Sequence, residues 1–137
     1  MERTFAVIKP DAFAAGHAGR ILARIHEAGF TLIGMKKIWL SEVQAGGFYH
    51  VHRDKPFFAD LTGFMSSAPC VTLVLEAPQA IRRWRELMGA TDPGKADEGT
   101  LRREFGTSIG RNALHGSDGP DTAAFEIGYF FSGMELL

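Results

Sequence analysis

The chain has 137 residues, room for one domain with a real core and no second. Its hydrophobic fraction of 45% suits a globular core, and its net charge of −1 argues against a surface given over to nucleic acid or membrane, which would need a basic excess. Cys70 is the only cysteine, so no internal disulfide forms and a reducing, cytoplasmic setting is expected.

The N-terminal residues Met1-Glu2-Arg3-Thr4 run straight into strand-like sequence, so no signal peptide is expected. No apolar stretch approaches the roughly 18 residues of a membrane span. Thr4 to Ile8 is apolar and bounded by Pro10, which predicts a buried first strand. Gly16 to Gly29 predicts a helix, because Ile21, Leu22, Ile25 and Ala28 share a face and Gly29 is a stop. Phe30 to Leu40 predicts a second strand. Ser41 with Gln44 is a capping-box start for another helix. After Pro56, Phe57 to Met65 predicts a short helix. Cys70 to Leu75 is a third strand, with Cys70 an inert core residue rather than a nucleophile. Pro78 opens a helix with Ile81, Trp84, Leu87 and Met88 inward and Gly89 at its end.

From Ala90 to Pro120 apolar periodicity fades, and loops this long in a compact domain are usually functional. A short strand is expected near Asn112 to His115, and a last helix from about Asp121 to Phe131. This order fits an α+β fold of the ferredoxin-like βαββαβ type: an antiparallel sheet covered by helices, with a helical insert and a long loop. Such a fold alone decides no function.

Two phosphate-binding signatures, G-x-x-x-x-G-K-[ST] and G-x-G-x-x-G, are missing, and so is H-E-x-x-H. His50 and His52 are two apart, so on a helix their side chains diverge and a metal pair is not expected. His115 ends a short apolar stretch and is followed by Gly116, Ser117, Asp118 and Gly119. The glycines would let backbone approach a substrate, and Ser117 or Asp118 could fix the ring. On these grounds alone His115 is either catalytic or a structural loop histidine. Imidazole suits phosphoryl acceptance because its ordinary pKa of about 6.5 leaves much of it neutral and nucleophilic near pH 7. Phosphoryl transfer then needs in-line positioning and cations around the oxygens. Lys9, Arg85 and Arg102 are the candidate cations. Arg82 has Glu86 four residues on as a surface partner, whereas Arg85 lacks that partner. Arg102 sits at a helix start, which favours phosphate, whereas Lys9 taken alone reads as a solvated strand end. Phe57 and Phe58 are each either core residues or an exposed face on which a base could stack.

These residues fall into runs that resemble the nucleoside diphosphate kinase family. They are Thr4-Phe5-Ala6-Val7-Ile8-Lys9-Pro10-Asp11, Tyr49-His50-Val51-His52, Pro56-Phe57-Phe58, Met88-Gly89-Ala90-Thr91-Asp92-Pro93 and Gly99-Thr100-Leu101-Arg102. The run Gly110-Arg111-Asn112-Ala113-Leu114-His115-Gly116-Ser117-Asp118 resembles the family's active-site segment, and Glu126-Ile127 follows at the family's distance. The ordered set spans nearly the whole chain, as one domain over residues 1–137.

The resemblance implies ping-pong transfer of the terminal phosphate of ATP, or another triphosphate, to a nucleoside diphosphate, with His115 as the phosphorylated nucleophile. It implies that Ser117 and Glu126 orient and polarise His115, that Lys9 contacts the sugar and terminal phosphate, and that Tyr49 supports the phosphate site. It further implies that Phe57 stacks on the base, that Arg85, Thr91 and Arg102 bind phosphates, and that Asn112 bonds the ribose. The long loop would bind nucleotide. Mg²⁺ would arrive on the phosphates rather than in a protein cage. The family's assemblies imply a homo-oligomer built from dimers, a tetramer or a hexamer. Asp92 stands where many relatives have Asn, with a small effect expected, and the chain ends at Leu137 where many carry a longer tail. A nucleic-acid-binding module on this fold would show strand aromatics and a basic face; here the strands are mostly aliphatic. An inactive family member would lack a catalytic position, and none of the expected residues is missing.

Overall fold

The first strand, β1 (Glu2–Ile8), has both faces apolar, and Thr4 through Ile8 are buried. Successive strand side chains point to opposite faces, so Phe5 and Val7 enter one layer and Ala6 and Ile8 the other. A strand buried on both sides must be central. The computed structural model, which describes residues 1–137, places it so. Its partners are β2 (Thr31–Ile38), β3 (Cys70–Ala77) and β4 (Leu114–Gly116), in the order β2-β3-β1-β4 with every pairing antiparallel. This is the ferredoxin-like arrangement expected from the element order.

One layer is formed by α1 (Pro10–Ala14), α2 (Ala18–Glu27) and α5 (Ala80–Met88). In α2, Ile21 and Ile25 are one turn apart and fully buried, and they meet Trp84 and Met88 of α5 over Ala6, Ile8, Leu73 and Leu75. The other layer holds α3 (Glu42–Phe48), α4 (Phe58–Met65) and α7 (Pro120–Phe130). There Phe48, Tyr49, Met65 and Phe131 pack on Phe5, Val7 and Val74. Ser41 and Gln44 make the reciprocal capping box that starts α3, at 3.1 and 2.9 Å.

Three local expectations change. The segment before Gly16 is not a plain connection: Pro10 at a first helical position starts the short α1. The stretch from Ala90 to Pro120 is not one long loop. Beside the expected short strand, found as β4, it contains a 3-10 turn at Pro93–Lys95 and the helix α6 (Leu101–Phe105), of which only the start was marked in the sequence. His50 and His52 lie on a 3-10 turn, not an α-helix.

Gly116 shows how tightly β4 is seated. A Cβ there would lie 2.5 Å from Met88 Cε and 2.6 Å from Trp84 Cδ1. The glycine therefore lets the strand approach α5, not a substrate as the sequence reading had it. Gly116→Ala should destabilise the fold by about 1–3 kcal/mol through overpacking. Urea unfolding measures this, and an unchanged midpoint would mean that α5 yields freely.

Candidate active site

Val7 and His115 are opposed across the β1–β4 pair. Opposed residues share a face, so His115 projects into the layer of α3 and α7 while Leu114 and Gly116 turn toward α5. The imidazole is mostly buried, ringed by the edges of Phe48 at 5.4 Å and of Phe5 and Tyr49 at 6.1 Å, between ring centroids. On α7, Ala123, Glu126, Ile127 and Phe130 follow the spacing of an inward face, which turns a carboxylate toward the ring.

His115 Nε2 lies 3.0 Å from Glu126 Oε1. The Ser117 hydroxyl donates to the same oxygen at 2.7 Å and accepts from the Phe5 amide at 3.2 Å. With the carboxylate ionised, this network selects the tautomer with its proton on Nε2, and the Nδ1 lone pair is left for chemistry. Ser117 thus acts on the ring only through Glu126. Asp118 does not reach the ring either: it pairs with Arg85 at 2.8 Å. Arg85 therefore has a partner, supplied by β4's end and invisible to helical spacing.

Two cations bond the residues at and before β4, Arg102 through main chain and Lys9 through the Asn112 side chain. Arg102 donates to Leu114 O at 2.9 Å and Gly89 O at 3.1 Å. Its Nε is buried with no partner in the chain. Burial, then the charge of Arg85, lowers Arg102 to about 10. Lys9 donates to Asn112 Oδ1 at 3.0 Å, and Asn112 donates to Thr91 O at 3.1 Å. Burial above all, then Arg102, lowers Lys9 to about 8; Asp11 pulls the other way and Arg111 adds to the lowering. Burial also pushes the Tyr49 phenol above its ordinary range, with smaller contributions from Cys70 and Glu126, and its hydroxyl has no partner in the chain. Cys70 is buried, and that burial raises its thiol to about 11, so it is an inert core group.

The turn entering β4 is strained. Leu114 N donates to Asn112 O at 2.9 Å across Ala113, whose φ is +74°. This is a γ-turn centred on a non-glycine residue, a conformation that costs on the order of 1–3 kcal/mol. Alanine gives no sequence signal for it.

The structure therefore brings together His115, Ser117, Glu126 and Tyr49, joins Lys9, Asn112 and Thr91 in one chain of bonds, and ties Arg102 to the strand. Arg85 stands outside the network, in the wall of a groove of about 610 Å³ that does not include His115. Phe57 is half exposed at the entry to α4, with its nearest ring neighbour His52 at 5.5 Å. Asp92 accepts from the Gly94 amide at 2.9 Å, a capping role an Asn carbonyl fills equally. No three His, Cys, Asp or Glu side chains converge as a metal site. No helix is long and apolar enough to cross a membrane.

A family model described as nucleoside diphosphate kinase matches residues 2–136. The nucleoside diphosphate kinase of Syntrophotalea carbinolica is 73% identical and that of Desulfotalea psychrophila 66%, each over the full length of both chains. Among solved structures, the Aquifex aeolicus nucleoside diphosphate kinase superposes with a TM-score of 0.97 at 45% identity, covering 99% of each chain. A Halobacterium salinarum nucleoside diphosphate kinase in complex with CDP superposes at 0.95 and 40% identity, covering 99% of this chain and 91% of that one. Identity at this level, over the whole chain and on the same sheet, makes this chain an enzyme of phosphoryl transfer that belongs to the nucleoside diphosphate kinase family.

Proposed function

We propose that His115 is the phosphate carrier of a ping-pong nucleoside diphosphate kinase cycle, with Nδ1 as its nucleophilic atom. The observation that carries this reading is the asymmetry of the ring: Nε2 is held by Glu126, which Ser117 bonds in turn, and Nδ1 is not held. In the first half-reaction Nδ1 attacks the terminal phosphorus of a triphosphate. A P–N bond forms, the P–O bond to the diphosphate breaks, and the electron pair leaves with that oxygen. The proton stays on Nε2, where the Glu126 carboxylate stabilises the positive charge gained by the ring. A second diphosphate reverses the step.

Lys9, Arg85 and Arg102 supply the charge that phosphate oxygens require, and the unpartnered Arg102 Nε is a donor of the right kind. Thr91 and Asn112 extend the set toward phosphate and ribose. The buried Tyr49 edge holds the ring in place. Phe57 offers its exposed face to the base. CDP bound to the Halobacterium relative supports a nucleotide ligand. The donor set is cationic, which fits Mg²⁺ carried on the nucleotide phosphates with no dedicated protein ligands. When bound, that ion neutralises charge on the transferred group. The same reading places the chain in the cytoplasm, as a single domain over residues 1–137 within a homo-oligomer of dimers.

Brief incubation with γ-labelled ATP should leave acid-labile, alkali-stable label on the wild-type protein and none on His115→Ala. Initial rates should give parallel lines in double-reciprocal form. Intersecting lines, or transfer by His115→Ala above a trace, would reject the carrier.

The phosphate clamp and the base platform should separate kinetically. Phe57→Ala should raise KM by about 5- to 150-fold for purines and pyrimidines alike, the loss of roughly 1–3 kcal/mol of stacking, with little change in kcat. Arg85→Ala should lower kcat as well. Arg102 is the poorer probe, because it also braces Leu114 and Gly89. The division fails if Phe57→Ala, correctly folded, loses kcat as Arg85→Ala does.

Lys9 sets a pH signature. Its amine falls from an ordinary 10.5 to about 8 in the folded chain. Below that value the charge is present for phosphate but buried at a cost to stability. As pH rises through about 8 toward 10.5 the folded form loses the proton first, so the destabilisation is relieved while the binding charge is lost. kcat/KM, which reports the free enzyme, should decline above about pH 8. In Lys9→Met that limb should vanish from a lower plateau. A wild-type profile flat to about pH 9.5 would contradict this assignment.

A further inference from the structure

Resting on the reading of His115 as phosphate acceptor, we infer that Asp11 is a positioning residue, whose carboxylate pins the γ-turn at Ala113 and so sets the place of Asn112 on one side and His115 on the other. Both main-chain polar groups of Ala113 are held by the corner between β1 and α1. Asp11 Oδ2 accepts from the Ala113 amide at 3.0 Å, and the Lys9 amide donates to Ala113 O at 2.8 Å. Ala113 is fully buried and lies at φ +74°. An alanine in that region relaxes toward negative φ unless its surroundings over-determine it. The relaxation would carry the Asn112 side chain off Lys9 and shift the register by which His115 opposes Val7 and meets Glu126.

An ordinary account makes Asp11 a first-turn acid on α1, favourable to the helix dipole. That account does not explain a side-chain bond to a residue 102 positions away. A second account makes Asp11 a counter-charge for Lys9, whose ammonium it favours. The two roles make different demands. A pin needs an acceptor at Oδ2; a counter-charge needs the negative charge.

The test is the single-turnover rate of His115 phosphorylation by Mg-ATP in four proteins: wild type, Asp11→Asn, Asp11→Ala, and Asp11→Ala combined with Ala113→Gly. Circular dichroism and melting temperature verify the fold. Asp11→Ala should slow phosphorylation by about 10- to 100-fold, the range for a reacting group displaced by about an ångström. Asp11→Asn keeps an amide oxygen in place and should stay within about threefold of wild type. Glycine adopts positive φ without strain, so the double variant should recover most of the loss. In amide exchange, the Ala113 N–H should open faster in Asp11→Ala than in Asp11→Asn.

An Asp11→Asn as slow as Asp11→Ala overturns the pin in favour of the charge, and a double variant with no recovery also overturns it. If Asp11→Ala does not fold, Asp11→Asn decides: near-wild-type phosphorylation upholds the pin, and a drop of about tenfold or more rejects it. An unlabelled wild type would overturn both this inference and the carrier role of His115. Labelled wild type with the wrong pattern among the variants overturns Asp11 alone.

Discussion

Val7 and His115 stand opposite each other in the shortest strand pair of the sheet, and the rest of the site depends on that register. A slip of one residue would turn His115 toward α5 and bring Leu114 and Ser117 into the wrong layers. Three contacts oppose a slip. Only a glycine fits beside Trp84 and Met88, and a slip would bring a residue with a side chain to the place of Gly116. Trp84 Nε1 donates to the His115 carbonyl at 3.2 Å. Ser117 exchanges hydrogen bonds with the Phe5 main chain, its own amide donating to Phe5 O and its hydroxyl accepting from Phe5 N. Packing on one face of a three-residue strand thus fixes chemistry on the other.

The second constraint is electrostatic. Arg102 repels Lys9 and is itself repelled by Arg85, and burial lowers both Lys9 and Arg102. Buried cations usually recruit carboxylates. Here the acceptors are mostly neutral: Asn112 Oδ1 for Lys9, and the carbonyls of Gly89 and Leu114 for Arg102. Neutral acceptors orient a cation without cancelling its charge. The remaining field is then available to an anion, and little reorganisation is needed when one arrives. The unfavourable burial is carried by the two hydrophobic layers, with Trp84, Ile21 and Leu73 fully enclosed in one and Phe5 and Met65 in the other.

β1, β2 and β3 were legible in the sequence because they are long runs with clear stops, and α2 and α5 because their inward stripes recur at helical spacing. The short pieces were not. α1 and α6 have five residues each, less than two turns, so periodicity has too little length to appear. In the site, His115 stood out by its setting among glycine and small polar residues. Glu126 did not, since nothing local marks an acid on an amphipathic helix as inward-facing; only the resemblance singled it out. Arg85 looked partnerless because its ion pair with Asp118 spans 33 positions. Ala113 was silent, for its conformation is imposed from Lys9 and Asp11, which lie in the first turn after β1. Local preference reports on local structure, and the misses at Glu126, Arg85 and Ala113 are long-range.

In the proposed reading, breadth of nucleotide use follows from where each recognition element sits. Lys9 is tied to the β4 segment through Asn112, and Arg102 through the carbonyls of Leu114 and Gly89, a geometry that is the same whichever base is present. Phe57 lies at the start of α4, in a surface-facing insert, and shares no hydrogen bond or ring contact with the phosphate set. A π-face holds any base by stacking, whereas discrimination would require buried hydrogen-bond donors and acceptors matched to one base edge. The neighbours on that insert are mostly solvent-facing: Asp54, Lys55, Pro56, Ala59 and Asp60 are exposed. Exposed groups leave mismatched base edges hydrated, so a wrong base loses little. Selectivity for phosphate and indifference to base are then two consequences of one layout, in which rigid charge is central and the aromatic face is peripheral.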